Sequence, residues 1–321
     1  MNADDLASRI LKGETRAAAR LMRLVDDGSP LARPILAELS THTGGAYILG
    51  VTGNPGSGKS TLVNRLIGAL RARGKTVGCV AIDPTSPFSG GAILGDRVRM
   101  QQHAMDPGVF IRSVATRGNL GGISRSTPAM VQVLDAMGFD WIIVETVGVG
   151  QDEVDIVRLA DTSVVVLVPG LGDDVQADKA GLMEIADIFA LNKKDVAGHA
   201  RLQREIRSML ALHRQVTTEE DEWYPQIQGT QASDGTGVEA LMETILEHRS
   251  WLEASAPEET RRRERARHLI GLIARTELHA RLQHVAADDL IKELADAFIS
   301  GRTDAYAAAD QVLNALLSSK H

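Results

Sequence analysis

The chain has 321 residues, 44% of them hydrophobic, and a formal charge of −7. That length suits one large α/β domain with extensions and a sizeable core. The acidic balance argues against a nucleic-acid partner, since counterion release needs clustered Lys and Arg facing phosphates; no run of about eighteen apolar residues is present to cross a membrane.

Residues 1–45 read as helical, with Leu6, Ile10 and Leu11 on one face, a second segment from Ala17 to Val25, and Pro30 and Pro34 setting off a third. They precede the nucleotide core and form an N-terminal helical extension. The opening M-N-A-D-D-L has no basic-then-apolar leader, and Asp4, Asp5 and Glu14 are wrong for an Arg-rich, acid-poor presequence, so a soluble cytoplasmic protein is expected. Strands are predicted at Tyr47–Thr52, Thr76–Asp83, Val109–Ser113, Trp141–Glu145, Thr162–Val168, Ile185–Leu191 and Gln226–Ala232, with helices between them such as Thr61–Arg73 and Ser126–Met137. Near-continuous apolar strands bridged by helices specify an α/β fold, a mostly parallel sheet covered by helices on both faces. Cys79, the single cysteine, falls within an apolar strand and is expected to be a buried thiol rather than a ligand.

Beyond Pro257 the strand pattern stops. Three helical patterns follow, one carrying Leu269, Ile273 and Thr276, one carrying Leu290, Leu294 and Ala297 before a stop at Gly301, and one capped at Thr303 or Asp304 and carrying Val312, Leu316 and Leu317. The basic run from Arg261 to Arg267, with Glu258 and Glu259 beside it, reads as a solvated helix face or, more sharply, as a docking surface. A helical tail of about 60 residues buries little alone, so it packs either on its own core or on a second copy of the chain. The expected division is therefore 1–45, a helical extension; 46–256, the nucleotide domain; and 257–321, a helical arm that makes a homodimer.

Gly53 to Ser60 read G-N-P-G-S-G-K-S, a full match to the G-x-x-x-x-G-K-[ST] phosphate loop, placed between a strand and a helix as that motif requires. Its backbone N–H groups, from Gly53, Asn54, Pro55's neighbours, Gly56, Ser57, Gly58 and on to Thr61, suit phosphate oxygens at a helix N-terminus. Lys59 is expected to reach the β- and γ-phosphates and Ser60 to take a place on Mg²⁺. Base choice falls to Asn192-Lys193-Lys194-Asp195, an N-K-x-D string at a strand end. A carboxylate there accepts from the N1–H and exocyclic amine of guanine, Asn192 is expected to contact another edge of the base, and adenine lacks that donor pair. Ala232-Ser233, ahead of Gly235 and Gly237, suits a backbone contact to guanine O6. GTP and GDP are the expected nucleotides.

The candidate metal ligands besides Ser60 are Asp83 at a strand end, Asp96 in a glycine-rich loop and Glu145 at the end of the fourth strand; either aspartate could instead cap a turn or helix. Glu145 opens E-T-V-G-V-G-Q, where ordinary GTPases have Asp-x-x-Gly, and Gly148 leaves an N–H for the γ-phosphate, which makes this loop a switch. Gln151 is a candidate for positioning water. The segment from Pro169 to Lys179 flanks a polar stretch with glycines, so Lys179 is either a mobile group delivered to the site or to a partner, or a surface lysine.

Taken in order, the Gly53–Ser60 loop, Asp83-Pro84-Thr85-Ser86-Pro87, Leu94-Gly95-Asp96, the string from Glu145 to Gln151, Pro169-Gly170-Leu171-Gly172-Asp173 and Asn192-Lys193-Lys194-Asp195 make the chain resemble the methylmalonyl-CoA mutase-associated GTPases of the MeaB/ArgK type. That resemblance implies a P-loop GTPase fold of the signal-recognition and nickel-insertion class, homodimerisation through the C-terminal arm, and slow GTP hydrolysis accelerated by an adenosylcobalamin-dependent acyl-CoA mutase whose cofactor loading it gates. It implies that Lys179 acts in a further switch, although many members carry two basic residues where this chain has Lys179-Ala180. The rival classes are a nickel-insertion GTPase, which usually adds His or Cys/His clusters, and a kinase for a transport-system binding protein, which usually needs ATP.

Overall fold

The computed structural model describes residues 3–83, 101–103, 105–115, 126–146, 159–170, 185–216, 223–255, 258–286 and 289–318. Three short helices come first, α1 (Ala3–Leu11), α2 (Thr15–Asp26) and α3 (Ala32–Leu39). Strands and helices then alternate: β1 (Tyr47–Thr52), α4 (Lys59–Ala72), β2 (Val77–Asp83), β3 (Val109–Ala115), α5 (Thr127–Ala136), β4 (Trp141–Glu145), β5 (Thr162–Leu167), β6 (Ile188–Leu191), α6 (His199–Val216), β7 (Gln226–Gly229) and α7 (Val238–Ser255).

The strands form one parallel sheet in the order β3-β2-β4-β1-β5-β6-β7. Every residue of β1, β4, β5 and β6 is buried, the pattern of strands covered on both faces. One face is covered by α4 and α7, whose Leu62, Leu66, Ile67, Leu70, Leu241 and Ile245 pack against Leu49, Val51, Ile143 and Val164. On the other face Ile206 and Leu210 of α6 meet Val165, Phe189 and Leu191. Each such side chain contributes roughly 1.5–3 kcal/mol by leaving water, so the central strands are held by packing and ladder together. Cys79 is buried within the α4 side of this core, as its strand predicts.

Boundary shifts from the predicted elements have local causes. The helix after the phosphate loop starts at Lys59, two residues early, because Gly58 in a left-handed conformation (φ 90°) caps it and its carbonyl accepts from the Leu62 N–H at 2.9 Å. Strand β6 starts at Ile188 rather than Ile185. Asp187, just before it, bonds to neighbouring segments with its side chain as well as its backbone: its carboxylate accepts from the Ser163 N–H at 2.7 Å and its carbonyl from the Trp223 indole N–H at 2.9 Å. At the other end β7 stops at Gly229, because Gln231 turns back to pair with Thr236.

A polar cluster lies at the N-terminal pole of the sheet. The Thr162 hydroxyl contacts the Tyr47 hydroxyl and, at 2.7 Å, His248 Nδ1, while the three tryptophans, Trp141, Trp223 and Trp251, pack against Tyr47 or His248. Burial holds the His248 imidazole down to about 4, so it is neutral near pH 7 and serves as a hydrogen-bonding group.

The three N-terminal helices pack on one another and on α5, burying Leu6, Ile10, Leu21, Met22, Ile35 and Leu39. What joins them to the sheet is a carboxylate. Asp135, near the end of α5, accepts from the backbone N–H groups of Gly44 (2.6 Å), Gly45 (3.1 Å) and Ala46 (2.9 Å), the residues that lead into β1. No motif marks it in the sequence.

The chain divides into two compact units, Met1–Ala266 and Arg267–His321. The second contains most of α8 (Glu258–Ala286), followed by α9 (Asp289–Ile299) and α10 (Ala305–Ser318). Within it the predicted stop at Gly301 (φ 71°) is present, with its N–H on Phe298 and that of Arg302 on Ala297. Asp304 caps α10 through the N–H groups of Tyr306 and Ala307, both at 2.9 Å. Leu272 and Leu294 are buried, whereas Ile270, Ile273, Phe298, Ile299 and Tyr306 are exposed. On the predicted line of Leu269, Ile273 and Thr276, Leu269 is half-buried and Ile273 exposed, and Leu272 beside it is buried.

Replacing Asp135 strands three N–H groups in a half-buried or buried place. Asp135→Ala is expected to lower unfolding stability by about 3 kcal/mol, as measured by urea denaturation, and a change below ~1 kcal/mol would remove the anchoring role.

Candidate nucleotide site

Strand β1 lies between β4 and β5, and the chain leaves it toward β2 on one side while β5 to β7 build the other. In open parallel sheets ligands bind beyond the C-terminal strand ends at such a reversal, and Gly53 to Ser60 start there. Two glycines in this loop are sterically required. A Cβ on Gly53 (φ 129°) would lie 2.1 Å from the Val166 carbonyl oxygen, and one on Gly58 (φ 90°) would lie 2.4 Å from Asn192 Nδ2. The loop is therefore seated against β5 and against the N-K-x-D segment, with its following helix pointing its N-terminus at the loop, an arrangement that fits phosphate oxygens.

Lys59 is buried, and its ammonium donates to the carbonyls of Gly53 (2.6 Å) and Asn54 (3.0 Å), holding the cation over the loop. The next residue is the candidate metal ligand of the loop. Ser60 Oγ donates to Glu145 Oε1 at 2.6 Å, both residues being buried, Ser60 at the start of α4 and Glu145 at the end of β4. Val51 and Ala81 sit opposite Glu145 in the register, so the carboxylate is carried by the strand between β1 and β2. Two hard oxygens at this spacing, next to a phosphate loop, fit Mg²⁺. Asp83 is the last residue of β2, two positions beyond the Glu145 pairing. Beside Glu145, Thr146 donates its N–H to the Val51 carbonyl at 3.1 Å, and its hydroxyl meets that of Thr52 at 2.9 Å. Asp96, Gly148, Gln151 and Lys179 lie outside the described residues.

Asn192, expected at the base, also binds protein through both ends of its amide: Nδ2, which has a second N–H beyond this bond, donates to the Ser57 carbonyl at 2.7 Å, and Oδ1 accepts from the Ala232 N–H at 3.0 Å and the Thr230 hydroxyl at 3.3 Å. It is 3% exposed and ties the phosphate loop to the segment after β7. Lys193 follows in a left-handed conformation (φ 56°), unusual for a residue with a Cβ, and Lys193, Lys194 and Asp195 are exposed. The Asp195 carboxylate is thus accessible on the loop beside Ala232 and Ser233. Sequence reasoning passed over Arg65, Thr52 and Thr230, which complete this neighbourhood, because single polar residues on a helix or strand carry no motif.

The model of the family described as methylmalonyl-CoA mutase-associated GTPase MeaB matches residues 18–287. The chain belongs to the MeaB family. It is 48% identical over 319 residues to a Pyrococcus abyssi protein named for GTPase activity, covering 98% of this chain and 97% of that one. It is 36% identical to the GTPase ArgK of Escherichia coli, covering 77% and 76% of the two chains, and 30% identical to the mouse mitochondrial methylmalonic aciduria type A homolog, covering 97% and 72%. A solved structure described as a LAO/AO transport system kinase superposes with a TM-score of 0.72 at 24% identity, covering 99% of each chain, which confirms the P-loop GTPase fold. This MeaB-family chain is a GTPase that binds guanine nucleotide. Among the described residues no helix is long and apolar enough to cross a membrane.

The Asn192 tie is testable apart from catalysis. Asn192→Ala strands a buried carbonyl and a buried N–H and is expected to cost about 2–4 kcal/mol of stability. GDP affinity, measured calorimetrically on the same folded sample, should fall as well; unchanged affinity would show that the tie does not organise the site.

Proposed function

We propose that this chain is a GTP-hydrolysing chaperone that gates the loading and protection of adenosylcobalamin in a partner acyl-CoA mutase, methylmalonyl-CoA mutase or a close relative. The observation that carries the reading is the Ser60–Glu145 hydrogen bond. It joins the phosphate loop to the first residue of the E-T-V-G-V-G-Q loop, so whatever occupies the phosphate site acts directly on the segment that would report it. The family description, which names methylmalonyl-CoA mutase, supports the choice of partner, and so does the mouse relative named for methylmalonic aciduria.

In this reading the backbone N–H groups between Gly53 and Thr61, Pro55 excepted, cradle the phosphates, and Lys59 exchanges its two loop carbonyls for β- and γ-phosphate oxygens. Ser60, with Asp83, Asp96 and Glu145, would hold Mg²⁺, which would neutralise charge on the phosphates, and the Gly148 N–H would serve the γ-phosphate, a contact open only to the triphosphate. Asp195 pairs with the guanine N1–H and amine, Ala232 and Ser233 face O6, and Asn192 and Lys193 hold the base loop in place. Lys179 acts at the mutase-facing switch. Residues 257–321 form the dimerisation arm; the exposed Ile270, Phe298, Ile299 and Tyr306 support that assignment.

Removing the loop cation should strip transition-state stabilisation. Lys59→Ala is expected to lower steady-state GTP hydrolysis by ~10³-fold, and hydrolysis at the wild-type rate would place the chemistry elsewhere. Intrinsic turnover should be slow, and the cognate mutase should raise it 10- to 100-fold, equivalent to about 1.4–2.7 kcal/mol. Lys179→Ala should lose most of that stimulation while hydrolysing GTP alone as before. Absence of stimulation by every cobalamin-dependent acyl-CoA mutase of the host would defeat the chaperone reading.

A further inference from the structure

Arg65 lies on α4, six residues beyond Lys59, and its side chain reaches across to the loop after β7. Nε donates to the Ala232 carbonyl at 3.0 Å and Nη2 to the Ser233 carbonyl at 2.5 Å. The neighbouring Asp234 carboxylate accepts from the Thr236 N–H at 2.8 Å and lies within electrostatic reach of Arg65, while Nε and Nη2 of the guanidinium donate to the two carbonyls. The guanidinium also lies 3.9 Å from where a Cβ of Gly235 would stand, so the loop wraps around it.

A planar trans peptide points its carbonyl and its N–H in opposite directions. Fixing the Ala232 carbonyl on Arg65 therefore aims the Ser233 N–H away from α4. The Ala232 N–H is already committed to Asn192 Oδ1 at 3.0 Å. Ser233 is exposed, and among the described residues its N–H has no acceptor. The loop is thus held by two side chains, Asn192 from one side and Arg65 from the other, in a form that presents one backbone donor.

We propose that Arg65 is a specificity-positioning residue: by clamping two consecutive carbonyls it orients the Ser233 N–H to donate to guanine O6. This rests on the guanine reading of Asp195 and on Ser233 facing the base. The planar fork of arginine matters, since lysine has a single nitrogen and cannot hold both carbonyls in fixed geometry. The role is indirect, because Arg65 touches protein and not nucleotide.

Two analogues separate the two halves of base recognition. 6-Thio-GDP keeps the N1–H and the amine but replaces O6 with sulfur, a poor acceptor, whereas IDP keeps O6 and loses the amine that Asp195 would bind. Calorimetry on the full-length protein should show wild type preferring GDP to both. Arg65→Met, which keeps the aliphatic stem, should lower GDP affinity on the order of ten-fold, the scale of one well-formed hydrogen bond. It should leave 6-thio-GDP affinity nearly unchanged and the GDP-to-IDP ratio intact. Arg65→Lys should fall between. Asp195→Asn should do the reverse, collapsing the GDP-to-IDP ratio while keeping the thio discrimination.

A merely structural role would weaken all three nucleotides equally, and that outcome, or full retention of the GDP-to-6-thio-GDP ratio in Arg65→Met, overturns the proposal. Failure of the underlying reading looks different: wild type would then bind ADP as tightly as GDP. Should Arg65→Met fail to fold, as judged by its thermal transition, Arg65→Lys carries the same test.

Discussion

The nucleotide site depends on one buried amide. Asn192 bonds to the phosphate loop through the Ser57 carbonyl and to the base loop through the Ala232 N–H and the Thr230 hydroxyl, and its Nδ2 occupies the space that Gly58 leaves by lacking a Cβ. Each bond by itself is modest, yet the groups involved are buried, so losing the amide would leave several of them unsatisfied at once. The phosphate and base ends of the site therefore share one rigid element. Arg65 on α4 and Arg73 just past its end extend the same logic. The first holds the loop after β7, and the second reaches Glu239 and Glu243 of the helix that follows it.

A second coupling runs through β4. Glu145 is set by strand register between β1 and β2, and the hydrogen bond from Ser60 makes its carboxylate part of the phosphate site before any ligand is considered. Thr146 extends this by bonding back to Val51 and Thr52 at the end of β1. The first residue of the E-T-V-G-V-G-Q string thus belongs to the rigid sheet and the second is tied to it, a fixed root for the switch proposed above.

The fold was legible in the sequence because its signals are of the strong kind. Buried parallel strands appear as short apolar runs, and the phosphate loop has steric demands that only glycines at Gly53 and Gly58 meet. Ends of elements were less legible, since Asp187 and Gln231 end or delay strands through bonds to residues distant in sequence or by a local turn back. The site was legible where motif and geometry coincide, at Lys59, Ser60 and Glu145. At Asn192 the motif names the residue but not which protein neighbours share its amide. Arg65 and Asp135 carried no signal at all. Their partners are backbone groups about 167 and 90 positions away, and a backbone acceptor or donor leaves no trace in residue type.

The polar cluster around His248 has an optical consequence. Trp141, Trp223 and Trp251 are all the tryptophans of the chain, and they gather around Tyr47 and His248 at the N-terminal pole of the sheet. The phosphate loop begins at the opposite pole, a strand length of about 15–20 Å away. No indole can touch a bound nucleotide there, so the protein's ultraviolet emission gauges the integrity of the far pole. Its response to acid reflects two buried groups of this cluster, the Asp187 carboxyl, which burial raises to about 7, and the His248 imidazole 3.6 Å away, which burial keeps uncharged until about pH 4, and occupancy of the nucleotide site has to be read from a chromophore on the nucleotide itself.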